Sequence, residues 1–100
     1  MSVRLEIRSL MVVSTAHLTE KTAQWLSDQT NYQLAHQHIP SLNCGQSTYG
    51  FEVHVPIEEY DEQWPKELEA LFQLARQNMI SMISFDCDGP TIEGYPTYDW

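Results

Sequence analysis

Residues 64–79 read WPKELEALFQLARQNM, and this stretch is the strongest indicator of the fold. Its apolar side chains recur at helical spacing, at Trp64, Leu68, Leu71, Phe72, Ala75 and Met79. Pro65 suits the first position of a helix, where the backbone N–H has no intrahelical acceptor. The stretch therefore predicts an amphipathic helix with one buried face.

Strand-like segments lie on both sides of this helix. Residues 49–57 (YGFEVHVPI) alternate apolar and polar or small side chains, which is the period of a strand with one buried face. Residues 79–85 (MISMISF) form a short apolar run that is typical of a buried strand. The region between 40 and 48 is rich in Ser, Asn and Gly, and it predicts a loop.

The N-terminal half repeats the alternation of strand and helix. Residues 10–13 (LMVV) predict a buried strand, and Thr19 is a suitable N-cap for a helix over residues 20–29. Residues 32–39 are weakly strand-like. Residues 3–8 alternate apolar and charged side chains, so we expect an exposed edge that could pair with a second copy in a homodimer.

The resulting order, β-α-β-β-α-β, predicts an α+β fold in a single domain spanning residues 1–100. A two-layer ferredoxin-like sandwich, with both helices on one face of the sheet, fits this order. The alternative is a small mixed three-layer α/β sheet, which requires helices on both faces.

The formal net charge of −9 lies entirely in one half of the chain. Residues 1–50 are balanced, whereas residues 51–100 carry eleven acids against two basic residues. Such a field repels the phosphate backbone of nucleic acid and attracts basic protein surfaces. The acids around 58–69 would also stabilise the predicted helix, because negative side chains interact favourably with the partial positive charge of a helix N-terminus. This is a purely structural interpretation of these acids.

The acids and the aromatic C-terminus together define a predicted partner-binding surface. Tyr98 and Trp100 either fold back over the core as a lid or anchor a partner. The predicted partner-binding residues are Glu58, Glu59, Asp61, Glu62, Glu67, Glu69, Tyr98 and Trp100.

A second hypothesis concerns two polar segments that follow predicted strands. His17 ends the sequence STAH at 14–17, and Asp86 and Asp88 follow the last strand. Two carboxylates at this spacing can share a metal ion, and histidine is a common general acid or base. The three residues converge if the first and last strands are parallel neighbours, and they lie at opposite ends in a ferredoxin-like order. The alternative is a polar connection and an Asp-Gly turn.

The composition of the chain indicates in which cellular compartment we expect the protein. Two cysteines form no disulfide framework, and the longest apolar run, Leu10–Val13, is far too short to cross a membrane. The N-terminus lacks the apolar stretch of a signal peptide. We therefore expect a cytoplasmic protein with no membrane partner and no cofactor.

Two end motifs resemble those of a known family. The motifs are STAHLT at 14–19, and FDxDGP at 85–90 with YPTYDW at 95–100. They resemble a family of small uncharacterised proteins encoded on bacterial plasmids and integrative mobile elements, over about residues 10–100. The family has no assigned activity, so the resemblance transfers no catalytic residues.

The resemblance implies a mobile genetic element in a bacterial cytoplasm. Small acidic proteins of such elements often occlude host defence or regulatory proteins, which is an argument by analogy. We therefore favour a non-enzymatic inhibitor that binds a basic protein surface. The alternative is a metal-assisted hydrolase or small-ligand-binding domain that uses His17, Asp86 and Asp88.

Overall fold

A computed structural model describes residues 5, 7–30, 44–57 and 64–100. Within these ranges the chain forms four strands and two helices, with a short 3-10 turn at Thr15–His17. Their bounds are β1 Leu10–Ser14, α1 Glu20–Thr30, β2 Cys44–Ser47, β3 Gly50–His54, α2 Lys66–Gln77 and β4 Met82–Asp86. The strand expected at 32–39 lies outside the described residues.

The strands form one mixed sheet in the order β1-β4-β3-β2. β1 is parallel to β4, while β4 pairs with β3 and β3 with β2 in antiparallel fashion. The α+β class is confirmed, but the ferredoxin-like order is not, because that order makes the first and last strands antiparallel. Both topologies share one sequence of elements, and the alternation of side chains does not specify which strands become neighbours.

Both helices cover the same face of the sheet. The inner face presents Val13, Val53, Ile83 and Phe85, which share one core with residues of α1 and α2. The described residues therefore form two layers, and a three-layer arrangement is not observed among them. Burying this one face supplies most of the fold's favourable free energy, because the hydrophobic effect scales with the apolar area removed from water.

The predicted apolar stripe of α2 is largely confirmed. Its core contacts come from Leu68, Leu71, Phe72 and Ala75, all buried. Met79 was assigned wrongly, because α2 ends at Gln77 and Met79 is exposed in a turn with a φ of 54°. The last strand consequently begins at Met82 rather than at residue 79.

β2 is a strand that the sequence does not predict. Its residues, CGQS, show no apolar alternation, and they pair with β3 across a tight turn at residues 48 and 49. Gly50 begins β3 opposite Asp86, where a Cβ atom would overlap the carbonyl of Phe85. The close approach of β3 to β4 thus depends on glycine at this position.

No helix in the described part of the chain combines the length and the apolar character that a bilayer crossing requires.

Candidate functional site

The ends of β1 and β4 lie side by side at one end of the sheet. The two strands are parallel, and Ser14 is opposite Asp86 in their register. The STAH segment and the acids Asp86 and Asp88 therefore lie at the same end of the sheet, as a shared site of His17 with these two aspartates requires. Whether they form one site depends on what His17 contacts.

His17 is buried, with 2% of its surface exposed, and both of its ring nitrogens are engaged. The backbone N–H of Ile92 donates to Nε2 at 2.8 Å, and Nδ1 lies 2.8 Å from the carbonyl oxygen of Pro96. Nε2 therefore acts as an acceptor and Nδ1–H as a donor, which is the neutral Nδ1–H tautomer. Both nitrogens are thus engaged by backbone groups, which gives His17 a structural role in this fold.

His17 is the central contact of a larger docking arrangement. We call residues 90–100 the strap, because this segment runs across the connection between β1 and α1. Ser14 N–H donates to the carbonyl of Pro90, and Tyr98 N–H donates to that of Ala16, each at 2.8 Å. The indole N–H of Trp100 donates to the carbonyl of Leu18 at 2.8 Å.

The two end motifs identified in the sequence therefore bind each other. The first motif supplies the buried imidazole and the carbonyls of Ala16 and Leu18, and the second supplies the strap. The indole N–H of Trp100 is hydrogen-bonded to the fold while 58% of the residue stays exposed, so a role as a partner anchor stays a prediction.

Asp86, the half-buried last residue of β4, and the exposed Asp88 form a compact cluster that does not include His17. The backbone N–H of Asp88 donates to Oδ1 of Asp86 at 2.8 Å, which closes a tight turn. One potential ligand atom from each of Asp86, Cys87 and Asp88 lies within 4.8 Å of the others. Exposed acids commonly approach one another without a cation, so metal binding at Asp86 and Asp88 stays a prediction.

An open cleft of about 560 Å³ lies between the strap and the ends of β1 and β3. Tyr49 and Trp100 line it and are 60% and 58% exposed, and Asp99 lies beside them. Cys87 also lines the cleft, and its N–H donates to the carbonyl of Tyr49, so the acids that flank it adjoin the cleft. We call this surface the acidic–aromatic end; it comprises Tyr49, Asp86, Asp88, Asp99 and Trp100.

Glu67 was predicted to bind a partner, and the structure shows it binding the start of α1. The N–H and the hydroxyl of Thr19 each donate to its carboxylate at 2.9 Å, and the hydroxyl of Thr22 donates to it as well. Thr22 N–H donates to Oγ1 of Thr19 at 3.1 Å, which confirms Thr19 as the N-cap. A carboxylate is favoured at this position because helix N-termini carry partial positive charge.

Glu69 is buried within the fold rather than displayed on the surface. Trp64 Nε1 and Arg76 donate to its carboxylate at 2.9 and 2.8 Å. Burial raises the pKa of Glu69, but the hydrogen bonds from Arg76 and Trp64 and the charge of Arg76 outweigh it, so the pKa lies below its ordinary value. Arg76 also donates to the carbonyl of Pro56, which fastens the chain after β3 to α2.

The acids between residues 58 and 69, which were predicted to bind a partner, therefore present no exposed acidic surface among the described residues. Its two described members, Glu67 and Glu69, are both engaged in contacts within the fold. The other four, Glu58, Glu59, Asp61 and Glu62, lie outside the described residues. The acidic–aromatic end, in contrast, includes two exposed acids, Asp88 and Asp99, and the half-buried Asp86.

The fold and these contacts define a small α+β domain closed by its own C-terminal strap. Residues 10–100 match the family described as "Family of unknown function (DUF5983) C-terminal domain", and the chain belongs to this family. The match begins at the first residue of β1 and includes both end motifs. No curated protein and no solved structure matches the chain.

Proposed function

We propose that this protein is a non-enzymatic binding protein whose acidic–aromatic end binds a basic surface of another protein. One observation carries the proposal: exposed Tyr49 and Trp100 line one open cleft together with Asp99, and Asp86 and Asp88 flank Cys87 of the same lining in the sequence. Carboxylates attract arginine and lysine, and the faces of exposed aromatic rings bind guanidinium groups through cation–π contacts. Tyr, Trp and Arg are also the residues that dominate binding energy at protein interfaces.

The distribution of charge supports a protein partner over nucleic acid. The chain carries a net charge of −9, and all of it belongs to residues 51–100, which include four of the five residues of the acidic–aromatic end. This field repels phosphate, and it accelerates encounter with a positively charged protein. Binding of this kind weakens as salt screens the charges.

A more specific version of the proposal rests on the resemblance to proteins of plasmids and integrative elements. In that version the protein acts in a bacterial cytoplasm, where it occludes the basic surface of a host-defence or nucleic-acid-binding protein. An acidic surface with aromatic anchors suits this role, because it offers the charge that such a surface normally meets in nucleic acid.

The contacts of His17 count against the hydrolase alternative. A reaction that used His17 with Asp86 and Asp88 would first have to detach the strap, because Ile92 and Pro96 occupy both nitrogens of the imidazole. His17 also stands outside the ligand cluster formed by the two aspartates with Cys87. The geometry therefore favours binding over catalysis.

A titration with defined peptides tests the proposal. We expect an arginine-rich peptide to bind more tightly than a lysine-rich peptide of equal charge, because arginine also stacks on aromatic rings. Replacing Trp100 by Ala removes this preference, and raising the salt concentration weakens both peptides. Equal binding of the two peptides to the wild-type protein contradicts a role for the aromatic residues.

Two matched double variants distinguish the effect of the acidic–aromatic end on binding from the effect of the overall net charge. Asp88→Asn/Asp99→Asn neutralises two exposed acids of the acidic–aromatic end, and Glu20→Gln/Glu52→Gln neutralises two exposed acids elsewhere. We expect the first pair to weaken peptide binding about tenfold and the second to weaken it only slightly, since close charges interact most strongly. Equal losses in both pairs show that only overall charge matters. The same variants serve in a pull-down from bacterial lysate at low and high salt, where recovery of no basic protein counts against the proposal.

A further inference from the structure

Within the described residues, β1 has one backbone edge that pairs with no other strand. It is the first strand of the sheet and pairs with β4 on one side. The N–H of Ser14 donates to Pro90 of the strap rather than to β4. Because N–H and C=O groups alternate in direction along a strand, Leu10 and Val12 also direct theirs away from β4. Among the residues that the structure describes, no strand pairs with this edge.

The side chains along this edge are apolar and exposed. Leu10 and Val12 lie on the open face of the sheet and are 50% and 43% exposed, and Ile7 just before them is also exposed. β2, at the opposite edge, reads CGQS and has no comparable apolar pair. An open edge with exposed apolar side chains readily pairs with another extended strand.

The charges along β1 indicate what kind of strand would pair with its outer edge. Between residues 7 and 14 the single formal charge is Arg8, at the N-terminal end of the strand. The other end adjoins Asp86 and Asp88, because Ser14 is opposite Asp86. Antiparallel pairing of two copies points Arg8 of each copy towards the acidic end of the other, whereas parallel pairing would bring the two acidic ends together.

We propose that a second copy of this chain pairs antiparallel along the outer edge of β1, which joins the two sheets into one of eight strands. Such a two-fold interface places the same apolar patch of each copy against the other. Pro90 already occupies the edge at Ser14, so the paired segment lies on the N-terminal side of that residue. The proposal is independent of the basic partner, which binds the opposite end of the strand.

Sedimentation equilibrium of the full chain across the micromolar range tests this interface. We expect the wild-type mass to double with concentration at moderate salt, which screens the repulsion between two chains of charge −9. Val12→Lys inserts a charge into the apolar patch, and we expect it to raise the dissociation constant at least about tenfold. Gln77→Lys makes the same change of charge at an exposed site on α2 and should leave the dissociation constant unaltered.

Hydrogen exchange provides a second measurement at the backbone itself. The amides of Leu10 and Val12 should exchange more slowly as the protein concentration rises, because the partner strand accepts their hydrogen bonds. A wild-type chain that stays monomeric, or a dimer that Val12→Lys does not weaken, overturns the proposal. Val12→Lys should weaken binding of the arginine-rich peptide no more than Gln77→Lys does, so a failure of the dimer proposal can be distinguished from a failure of the proposed function.

Discussion

Replacing His17 by Ala should release the strap and destabilise the whole fold. The imidazole holds Ile92 N–H and the carbonyl of Pro96, both at 2.8 Å, in an almost fully buried position. These two contacts fasten the middle of the strap, while Ser14 and Ala16 hold residues on either side. The substitution thus tests whether the residue is structural, as its contacts indicate, or reactive.

The structure sets the size of the expected effect. Each of the two hydrogen bonds contributes about 1 kcal/mol, and a buried group left without a partner costs about 1–3 kcal/mol. Loss of the buried ring adds a cavity term, although detachment of the strap limits the total because water then reaches both backbone groups. We expect His17→Ala to lower the free energy of unfolding by about 2–4 kcal/mol, a large fraction of the stability of a small domain.

Urea denaturation and digestion by carboxypeptidase measure the two consequences separately. Denaturation reports the loss of stability, and digestion reports whether the strap has become accessible. His17→Phe fills the space without replacing the hydrogen bonds, so it should lose less stability than His17→Ala while still exposing the strap. His54→Ala is the matched control, because His54 is half-exposed on the open face of the sheet.

One combination of results contradicts this role of His17. If His17→Ala matches His54→Ala within about 0.5 kcal/mol and its strap resists digestion, the imidazole does not hold the strap. Such a result would return His17 to the list of candidate reactive groups.

Two further predictions concern stability. Because the pKa of Glu69 is lowered in the fold, its carboxylate stabilises the protein fully above an unfolded-state value of about 4.3, and this contribution disappears as the pH falls through the lower folded value. Urea titrations should therefore show Glu69→Gln less stable than wild type at neutral pH, with the difference shrinking in acid; a constant difference would contradict the ion pair with Arg76. Gly50→Ala should lower the melting temperature strongly because its Cβ overlaps the Phe85 carbonyl, while Gly45→Ala, with open space around it, should not; equal melting temperatures would show that the strands separate easily.

The local elements of the fold were predictable because their signals are local. The stripe of α2, the alternation of β3 and the cap at Thr19 each depend on residues a few positions apart. The structure confirms the cap and most of the stripe, but it shortens the strand predicted at 49–57 to Gly50–His54 and exposes Tyr49 and Ile57. β2 was not predictable, because CGQS has no pattern of its own and becomes a strand by pairing with β3. Met79 continued the apolar spacing but fell beyond the end of the helix, since spacing alone does not mark where a helix stops.

The candidate site was predictable in position but not in role. The sequence placed His17 and Asp86 after strands, and the parallel pairing of β1 with β4 brought those strand ends together as the second hypothesis required. The contacts of His17 come from Ile92 and Pro96, 75 and 79 residues away. The sequence offered one clue to these contacts, namely the presence of a polar motif at each end of the matched region. A buried histidine in one motif needs hydrogen-bond partners, and the other motif supplies them.

The sequence by itself determined both helices, the apolar strands and the confinement of the net charge to residues 51–100, since these follow from the order of residues. The tertiary structure decided which acids remain available. Glu67 and Asp88 carry the same formal charge, yet Glu67 is held by threonines of α1 whereas Asp88 stands exposed beside the strap. That difference arises because folding brings distant hydrogen-bond donors to one carboxylate and leaves the other to water or to a partner.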